Sequence, residues 1–220
     1  MDNWKYNLAG KKRKIKSEED DEDPSDEVLS KKLRSNGKQD DEHVHSIDNH
    51  IYFYSAVTKK SVYDLNREIR SVTLKMCELG NKFEIDPPPI YLHINSYGGS
   101  IFSAFSTIDT IMTNKVPIYS IIEGAAASAA TLISVVCQKR FIKPHSFMLI
   151  HQLSTIFWGK MHEFDDEIRN LENLMKMIKE IYKEHTDVPV NKIEEILKHD
   201  LWWDADKCKE FRLVDEIKRD

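Results

Sequence analysis

A single serine stands in a run of very small side chains, since residues 123–130 read EGAAASAA. The run follows an apolar, strand-like segment at 116–122 and precedes a helix-forming segment at 129–136. A serine at such a turn suits a nucleophile, because the unpaired N–H groups of a helix N-terminus stabilise a developing oxyanion. Ser128 is therefore a candidate nucleophile, although a serine that simply caps the helix would give the same pattern.

A histidine and a glycine pair could complete this chemistry. His151 ends the apolar segment 148–150, and a neutral imidazole at the carboxyl edge of a strand can act as a general base. Residues 95–100 read NSYGGS after another apolar segment, and two glycines there would let bare backbone face a ligand. The glycines fit neither a dinucleotide fingerprint nor a P-loop. Each segment alone is equally typical of an ordinary turn or strand end.

The apolar periodicity predicts the elements that must hold these residues. Steps of three and four predict an amphipathic helix over 62–79 that ends at Gly80-Asn81. A second helix follows Gly99, and its inward residues are predicted to be Ile101, Phe105, Ile108 and Met112. Short strands are expected at 50–54, 90–94, 116–122, 140–142 and 146–150. This alternation predicts an α/β fold with parallel strands, right-handed crossovers and helices on the sheet faces.

The last third of the sequence is mainly helical. A long helix is predicted over 161–185, with an apolar stripe that suits burial either in the core or against another subunit. A shorter helix follows Pro189, and another, which Asp204 could cap, follows Trp202-Trp203. A last, partly apolar segment lies at 213–217.

The first 48 residues differ in composition from the rest. A basic block at 11–16 is followed at once by an acidic block at 18–23, and apolar residues are few. Such a segment cannot bury enough surface to offset the entropy of ordering, so we expect a disordered charged tail over 1–48 and a folded domain over 49–220. The basic block could serve nuclear import or polyanion binding, but a solvated mixed-charge tail is favoured because the acidic block cancels its field.

The composition excludes several classes of protein. A net charge of −5 gives no strong attraction to nucleic acid, and no apolar run approaches the length of a membrane span. The N-terminus lacks the apolar core of a secretory signal. Three widely separated cysteines indicate a reducing, cytoplasmic setting, and no spacing resembles a zinc site. We therefore expect no metal and no cofactor.

Three segments together resemble the ClpP-like family of serine peptidases, the proteolytic subunits of Clp proteases. Residues 94–99, 123–128 and 148–152 occur in the order and approximate spacing of that family, and the resemblance covers about 50–219. It implies a βα superhelix of the kind that ClpP proteins share with crotonases. It also implies a projecting handle helix, which corresponds to 161–185.

The resemblance assigns roles to individual residues. Ser128 matches the nucleophile and His151 the general base, while the backbone N–H groups of Gly99 and Ala129 match the oxyanion hole. The third triad member is implied to be Asp200, with Asp204 and Asp206 as rivals; Asp204 fits a helix N-cap better. The substrate is expected as an extended strand beside Ser100, Ile101, Gln152 and Leu153.

The implied activity is cleavage of unfolded polypeptides or peptides by a serine endopeptidase, inside a chamber of stacked homo-oligomeric rings. An AAA+ unfoldase is the implied partner, which would make proteolysis ATP-dependent. The family's axial-loop sequence, which contacts that unfoldase, is not recognisable, and a charged tail stands in its place. Leu153-Ser154-Thr155 also replaces the usual proline and glycine-rich turn, and Arg212 stands where a glycine is usual.

Three alternatives remain on the same fold. The charged tail would suit a viral or phage-encoded maturation protease that acts on prohead proteins. A catalytically idle structural ring subunit is the second alternative, and the apparently complete triad argues against it. A crotonase-type acyl-CoA enzyme is the third, and it would need no serine nucleophile.

Overall fold

A computed structural model describes residues 43–219 of the 220-residue chain. Its strands are β1 His43–Ile47, β2 His50–Tyr54, β3 Ile90–Ser96, β4 Ile118–Ala127, β5 Lys139–Ile142, β6 Phe147–Leu149, β7 Trp202–Trp203 and β8 Glu216–Ile217. Its helices are α1 Lys59–Phe83, α2 Ile101–Met112, α3 Ala129–Val135, α4 Met161–His185, α5 Val190–Leu197 and α6 Ala205–Glu210. Among these described helices, none has the length and apolar character that a bilayer span requires.

The strands form one mixed sheet in the order β1-β2-β3-β4-β5-β8. The neighbours from β2 to β8 pair in parallel, whereas β1 runs antiparallel to β2. The far end of β4 pairs in parallel with β6, which in turn pairs antiparallel with β7. The predicted α/β alternation with parallel strands is therefore confirmed, and β4 is the strand from which the sheet divides.

The core lies between the sheet and the helices that connect its strands. Its strand side consists of branched aliphatic residues that are fully buried, such as Ile94 and Ile122. The inner face of α1 contributes Leu65, Ile69 and Val72, which recur at helical spacing and are likewise inaccessible to solvent. Each such burial stabilises the fold by about 1.5–3 kcal/mol relative to an exposed side chain.

The folded part begins before the predicted boundary at 48/49. Strand β1 lies within the segment expected to be tail, and Val44 packs against the core. Five residue pairs join β1 to β2 antiparallel through a turn at Asp48 and Asn49, so a hairpin precedes the strand from which the fold was expected to start. The rest of the predicted tail, residues 1–42, lies outside the described residues.

Two helix predictions need correction at their C-terminal ends. Helix α1 runs past Gly80 to Phe83 and ends at Glu84, which adopts the left-handed conformation with φ 54°. Gly80 is needed for close approach instead, since a Cβ there would lie 2.9 Å from the Ile85 carbonyl oxygen. In α2 the inward residue of the last turn is Ile111, which is fully buried, while Met112 is 52% exposed. The next inward position after Ile108 is three residues further along the helix, whereas the sequence prediction placed it four residues further.

Helix α4 spans 161–185 as predicted, but only its C-terminal half packs on the core. Ile178 and Tyr182 are buried, whereas Phe164 and Ile168 at the other end are about half exposed. The C-terminus of α4 is fixed by Arg140, whose guanidinium donates to the His185 carbonyl and forms an ion pair with Asp215. One buried cation thus joins β5, the approach to β8 and the end of α4.

A polar cluster lies on the sheet face formed by β2, β3 and β4. Glu123 accepts a hydrogen bond from Tyr54 and pairs with His93 at 3.1 Å, while the other His93 nitrogen lies 2.8 Å from Nδ1 of His50. Burial lowers the pKa of His93 despite the opposing effect of Glu123. Burial alone would raise the pKa of Glu123, but its hydrogen bonds with Tyr54 and His93 outweigh it, and the net shift is downward. The folded protein therefore favours a neutral His93 beside a charged Glu123.

Stability should fall on acidification because of this cluster. A histidine whose pKa is lowered by folding binds protons more readily once unfolded, so the free energy of unfolding should fall as pH drops below about 6.5. The lowered pKa of Glu123 adds a second loss below about pH 4.5. Urea unfolding at fixed protein concentration, at about pH 7.5 and about pH 5.5, measures the first effect.

The matched variant is His93→Gln, which removes the titrating group. Burial also lowers the pKa of His185, so this variant should keep a smaller pH dependence between those two values. An unchanged dependence in His93→Gln would show that His93 does not carry the effect.

Candidate active site

Ser128 occupies the junction between β4 and α3 in a conformation that is rare for a residue with a side chain. Its backbone angles are φ 56° and ψ −126°, which costs about 1–3 kcal/mol and persists only where the surroundings enforce it. The Ser128 N–H donates to the Leu149 carbonyl at 2.9 Å, and its carbonyl accepts from the Thr131 N–H at 3.0 Å. In α3 as described, the serine side chain makes no capping hydrogen bond. The helix-cap explanation of the sequence pattern is thus not supported.

Gly98 lies directly against the serine. A Cβ on Gly98 would lie 2.5 Å from the Ala127 carbonyl oxygen and 2.7 Å from the Ser128 Cβ, and the residue has φ +89°. No side chain larger than hydrogen fits there without displacing Ser128. The first glycine of the NSYGGS segment therefore permits close packing of two turns.

Gly99 presents its backbone at the adjacent position. The Val57 N–H donates to the Gly98 carbonyl and the Ser100 N–H donates to the Val57 carbonyl, each at 2.8 Å. In a parallel bridge of this kind the groups of the central residue point to the opposite side, so the Gly99 N–H faces away from Val57. Gly99 and Ala129 line the same cleft as Ser128.

His151 reaches this cleft from the strand next to β4. The β4–β6 register pairs Ala127 with Leu149, so the parallel strands end side by side, one at Ser128 and the other just before His151. His151 and Ser128 both line the cleft. The Nδ1 atom of His151 lies 3.2 Å from Oδ1 of Asp200. A carboxylate at Nδ1 favours the tautomer in which Nε2 can accept a proton.

The structure separates the three candidate aspartates. Asp204 caps α6 by accepting from the Lys207 N–H at 2.9 Å, and Asp206 lies in the first turn of that helix. Asp200 alone of the three forms an ion pair with His151. Its side chain is 75% exposed, so solvent screens the pair and the contribution of Asp200 is mainly to orient the ring.

Most of the predicted site residues meet at one cleft of about 20 Å³. Ser100 does not line it; instead its hydroxyl caps α2 by accepting from the Ser103 N–H. The cleft is lined by Gly99, Ile101, Ser128, Ala129, Leu132, His151, Gln152, Leu153, Ile178 and Tyr182. Sequence reasoning missed Leu132, Ile178 and Tyr182 as site residues, although the last two follow each other by one turn on the buried face of α4.

The arrangement supports nucleophilic chemistry by side chains. In residues 43–219 no group of three histidine, cysteine, aspartate or glutamate side chains is placed to hold a metal ion. A hydroxyl on a strained turn, an imidazole with a carboxylate behind it, and the Gly99 N–H that faces away from Val57 are parts that acyl transfer requires. The cleft has room for about one water molecule, so a peptide would have to bind beside it.

The fold and the site define a βα protein of the serine-hydrolase type, and comparison with known proteins assigns it to a family. Residues 48–220 match the Clp protease family. The chain belongs to that family, and it is a Clp-type peptidase, a serine protease among the hydrolases. The predicted ClpP-like fold and family are confirmed.

Similar proteins support the same assignment. The chain is 32% identical over 171 residues to the ATP-dependent Clp protease proteolytic subunit 1 of Chlamydia caviae, covering 76% of this chain and 85% of that protein. The subunit of the same name from Chlamydia pneumoniae is 31% identical over 172 residues, with the same coverage. Among solved structures, a ClpP1 mutant from Listeria monocytogenes superposes with a TM-score of 0.68 at 20% identity, over 87% of this chain and 96% of that one.

Replacement of Gly98 should inactivate the serine without unfolding the protein. Gly98→Ala would push the new methyl group against Ser128, and misplacement of a nucleophile by about 1 Å costs roughly a hundredfold in rate. The measurement is the rate at which a fluorophosphonate probe labels Ser128. Gly80→Ala is the matched control, because it crowds a backbone oxygen at the end of α1 and should leave labelling of the folded protein unchanged. Labelling of Gly98→Ala at the wild-type rate would contradict this role of Gly98.

Proposed function

We propose that the chain is a serine endopeptidase that cleaves unfolded polypeptides or peptides with the triad Ser128, His151 and Asp200. The observation that carries the proposal is the 3.2 Å contact of Asp200 with His151, at a cleft that His151 shares with Ser128. The left-handed turn at Ser128, which a helix cap does not need, supports the same role. The similarity to ATP-dependent Clp subunits supports the choice of peptide bonds as substrate.

The proposed reaction uses these groups in sequence. Ser128 Oγ attacks the scissile carbonyl carbon while the His151 Nε2 atom takes its proton. The N–H groups of Gly99 and Ala129 stabilise the negative charge that develops on the carbonyl oxygen. The imidazolium, oriented by Asp200, returns the proton to the leaving amine, and water then releases the acyl group by the reverse sequence.

The substrate is proposed to bind as an extended strand. Ile101, Gln152 and Leu153 line the cleft next to Ser128, and they lie on the two segments that would flank such a strand. Val57 already pairs with Gly99 by a parallel bridge, so the glycine turn has the extended geometry that backbone pairing requires.

Assembly into stacked homo-oligomeric rings is also proposed. The segment 156–168 exposes large apolar side chains: Ile156 and Trp158 are almost entirely exposed, and Met161 is 85% exposed. Such a cluster on one segment is typical of a protein–protein contact. Any ATP dependence would belong to a separate unfoldase, which is a proposed partner. A cytoplasmic location is likewise part of the proposal.

Replacement of the nucleophile tests the proposal directly. Ser128→Ala should abolish peptide cleavage and fluorophosphonate labelling, since triad members act as a unit and loss of one costs several orders of magnitude, roughly 10⁴–10⁶. The variant should keep the fold and the sedimentation coefficient of the wild type, because the substitution leaves the exposed apolar segment 156–168 unchanged. Undiminished cleavage by Ser128→Ala would exclude the mechanism. Cleavage by a strictly monomeric wild type would exclude the chamber.

The third triad member can be tested by a matched pair of variants. Asp200→Asn should lower kcat by roughly 10²–10⁴, because the amide no longer favours the His151 tautomer that accepts the serine proton. Asp204→Asn keeps a good N-cap for α6 and should leave kcat within about twofold of wild type. Measured kcat values that rank these variants in the opposite order would move the third role from Asp200 to Asp204.

A further inference from the structure

A chain of buried hydroxyls leads from helix α4 to the nucleophile turn. The Thr131 hydroxyl donates to the Ser128 carbonyl at 2.6 Å, and the Tyr182 hydroxyl lies 2.5 Å from the same Thr131 oxygen. Thr131 is fully buried and Tyr182 is 1% exposed. The two hydroxyls thus join α3 to α4 without access to solvent.

The direction of this chain follows from counting protons. A threonine hydroxyl has one proton, and Thr131 uses it on the Ser128 carbonyl. The Tyr182 hydroxyl must therefore be the donor to Thr131. Burial raises the pKa of Tyr182, against a smaller opposing effect of its bond to Thr131, so the phenol keeps the proton that it donates.

The carbonyl at the end of this chain belongs to the peptide unit that carries the Ala129 N–H. A trans peptide is planar, and its C=O and N–H bonds point in opposite directions. Thr131 binds the Ser128 carbonyl twice, through its backbone N–H and its hydroxyl. These two bonds hold the oxygen towards the core, and the N–H of Ala129 on the other side of the plane is thereby aimed at the cleft.

We propose that Thr131 and Tyr182 are positioning residues that fix the Ser128–Ala129 peptide plane and so build one half of the oxyanion hole. The inference rests on the proposed function of Ser128 as nucleophile. A threonine that bonds back to a carbonyl three residues earlier is common in helices. Here, however, the carbonyl belongs to a residue with φ 56°, and a second buried hydroxyl from another helix supports the bond. The orientation of the catalytic turn therefore depends on the packing of α4.

Substitution of Thr131 separates this role from a general packing role. Thr131→Val keeps the side-chain shape and removes the hydroxyl, so kcat for peptide cleavage and the rate of fluorophosphonate labelling should fall about tenfold, the value of one hydrogen bond, with KM unchanged. Thr131→Ser restores the hydroxyl and should bring both rates back to within about threefold of wild type. For Tyr182→Phe, kcat and the labelling rate should lie between those of Thr131→Val and those of wild type.

The matched control is Ser134→Ala, on the same helix. Ser134 is fully buried and its hydroxyl lies 2.9 Å from that of Ser120, so its loss removes a comparable buried hydrogen bond that does not lead to Ser128. Ser134→Ala should lower thermal stability by as much as Thr131→Val does while keeping the wild-type kcat.

The results distinguish failure of the inference from failure of the proposed function. The positioning role is overturned if Thr131→Val labels and cleaves as fast as an active wild type. It is also overturned if the two rates of Thr131→Ser are as low as those of Thr131→Val. In both cases the proposed function stands. If wild type labels no better than Ser128→Ala, the proposed function fails. A crystal structure of Thr131→Val then decides the positioning role: an unchanged Ser128–Ala129 peptide plane overturns it, and a rotated plane supports it.

Discussion

The left-handed backbone at Ser128 is the constraint on which the rest of the structure depends. A strand that leads into a helix would ordinarily turn without a residue at φ 56°, so the surroundings must hold this one in place. Leu149 fixes its N–H from one side, Thr131 fixes its carbonyl from the other, and Gly98 removes the side chain that would occupy its space. Ser128 is held in this conformation by three features together: the division of the sheet beyond β4, the glycine turn and the burial of α3.

Much of the fold could be predicted because it follows from local periodicity, whereas the differences arise from contacts between distant residues. The bounds of α4 and the carboxyl-edge positions of Ser128 and His151 follow from apolar patterns near each residue. Gly80 lies inside α1 because the chain after the helix, at Ile85 and Pro87, packs closely against it. The hairpin that precedes the expected start of the fold depends on the pairing of β1 with β2. No pattern near Tyr182 indicates its importance, because that importance comes from a hydroxyl partner about fifty positions away in sequence.

The site is built from parts of unequal rigidity. Ser128 is half-buried beside the buried Gly98, whereas Asp200 lies on an exposed segment after α5. The Gln152 N–H donates to the Leu197 carbonyl at 2.7 Å, and this bond ties the histidine segment to the end of the helix that precedes Asp200. The contact between His151 and Asp200 is therefore set by the docking of α5, and this pair is the part of the site most open to adjustment by its surroundings.

The contacts of Arg140 with His185 and Asp215 affect the order in which parts of the fold can form during synthesis. Its partners, the His185 carbonyl and the Asp215 carboxylate, come from late in the chain, and the helix that it fixes supplies Tyr182 to the turn at Ser128. A nascent chain emerging from the ribosome has the serine long before it has these supports. Under the proposed function, the peptidase is therefore inactive while it is itself unfolded, and its site is complete only when these late segments are in place.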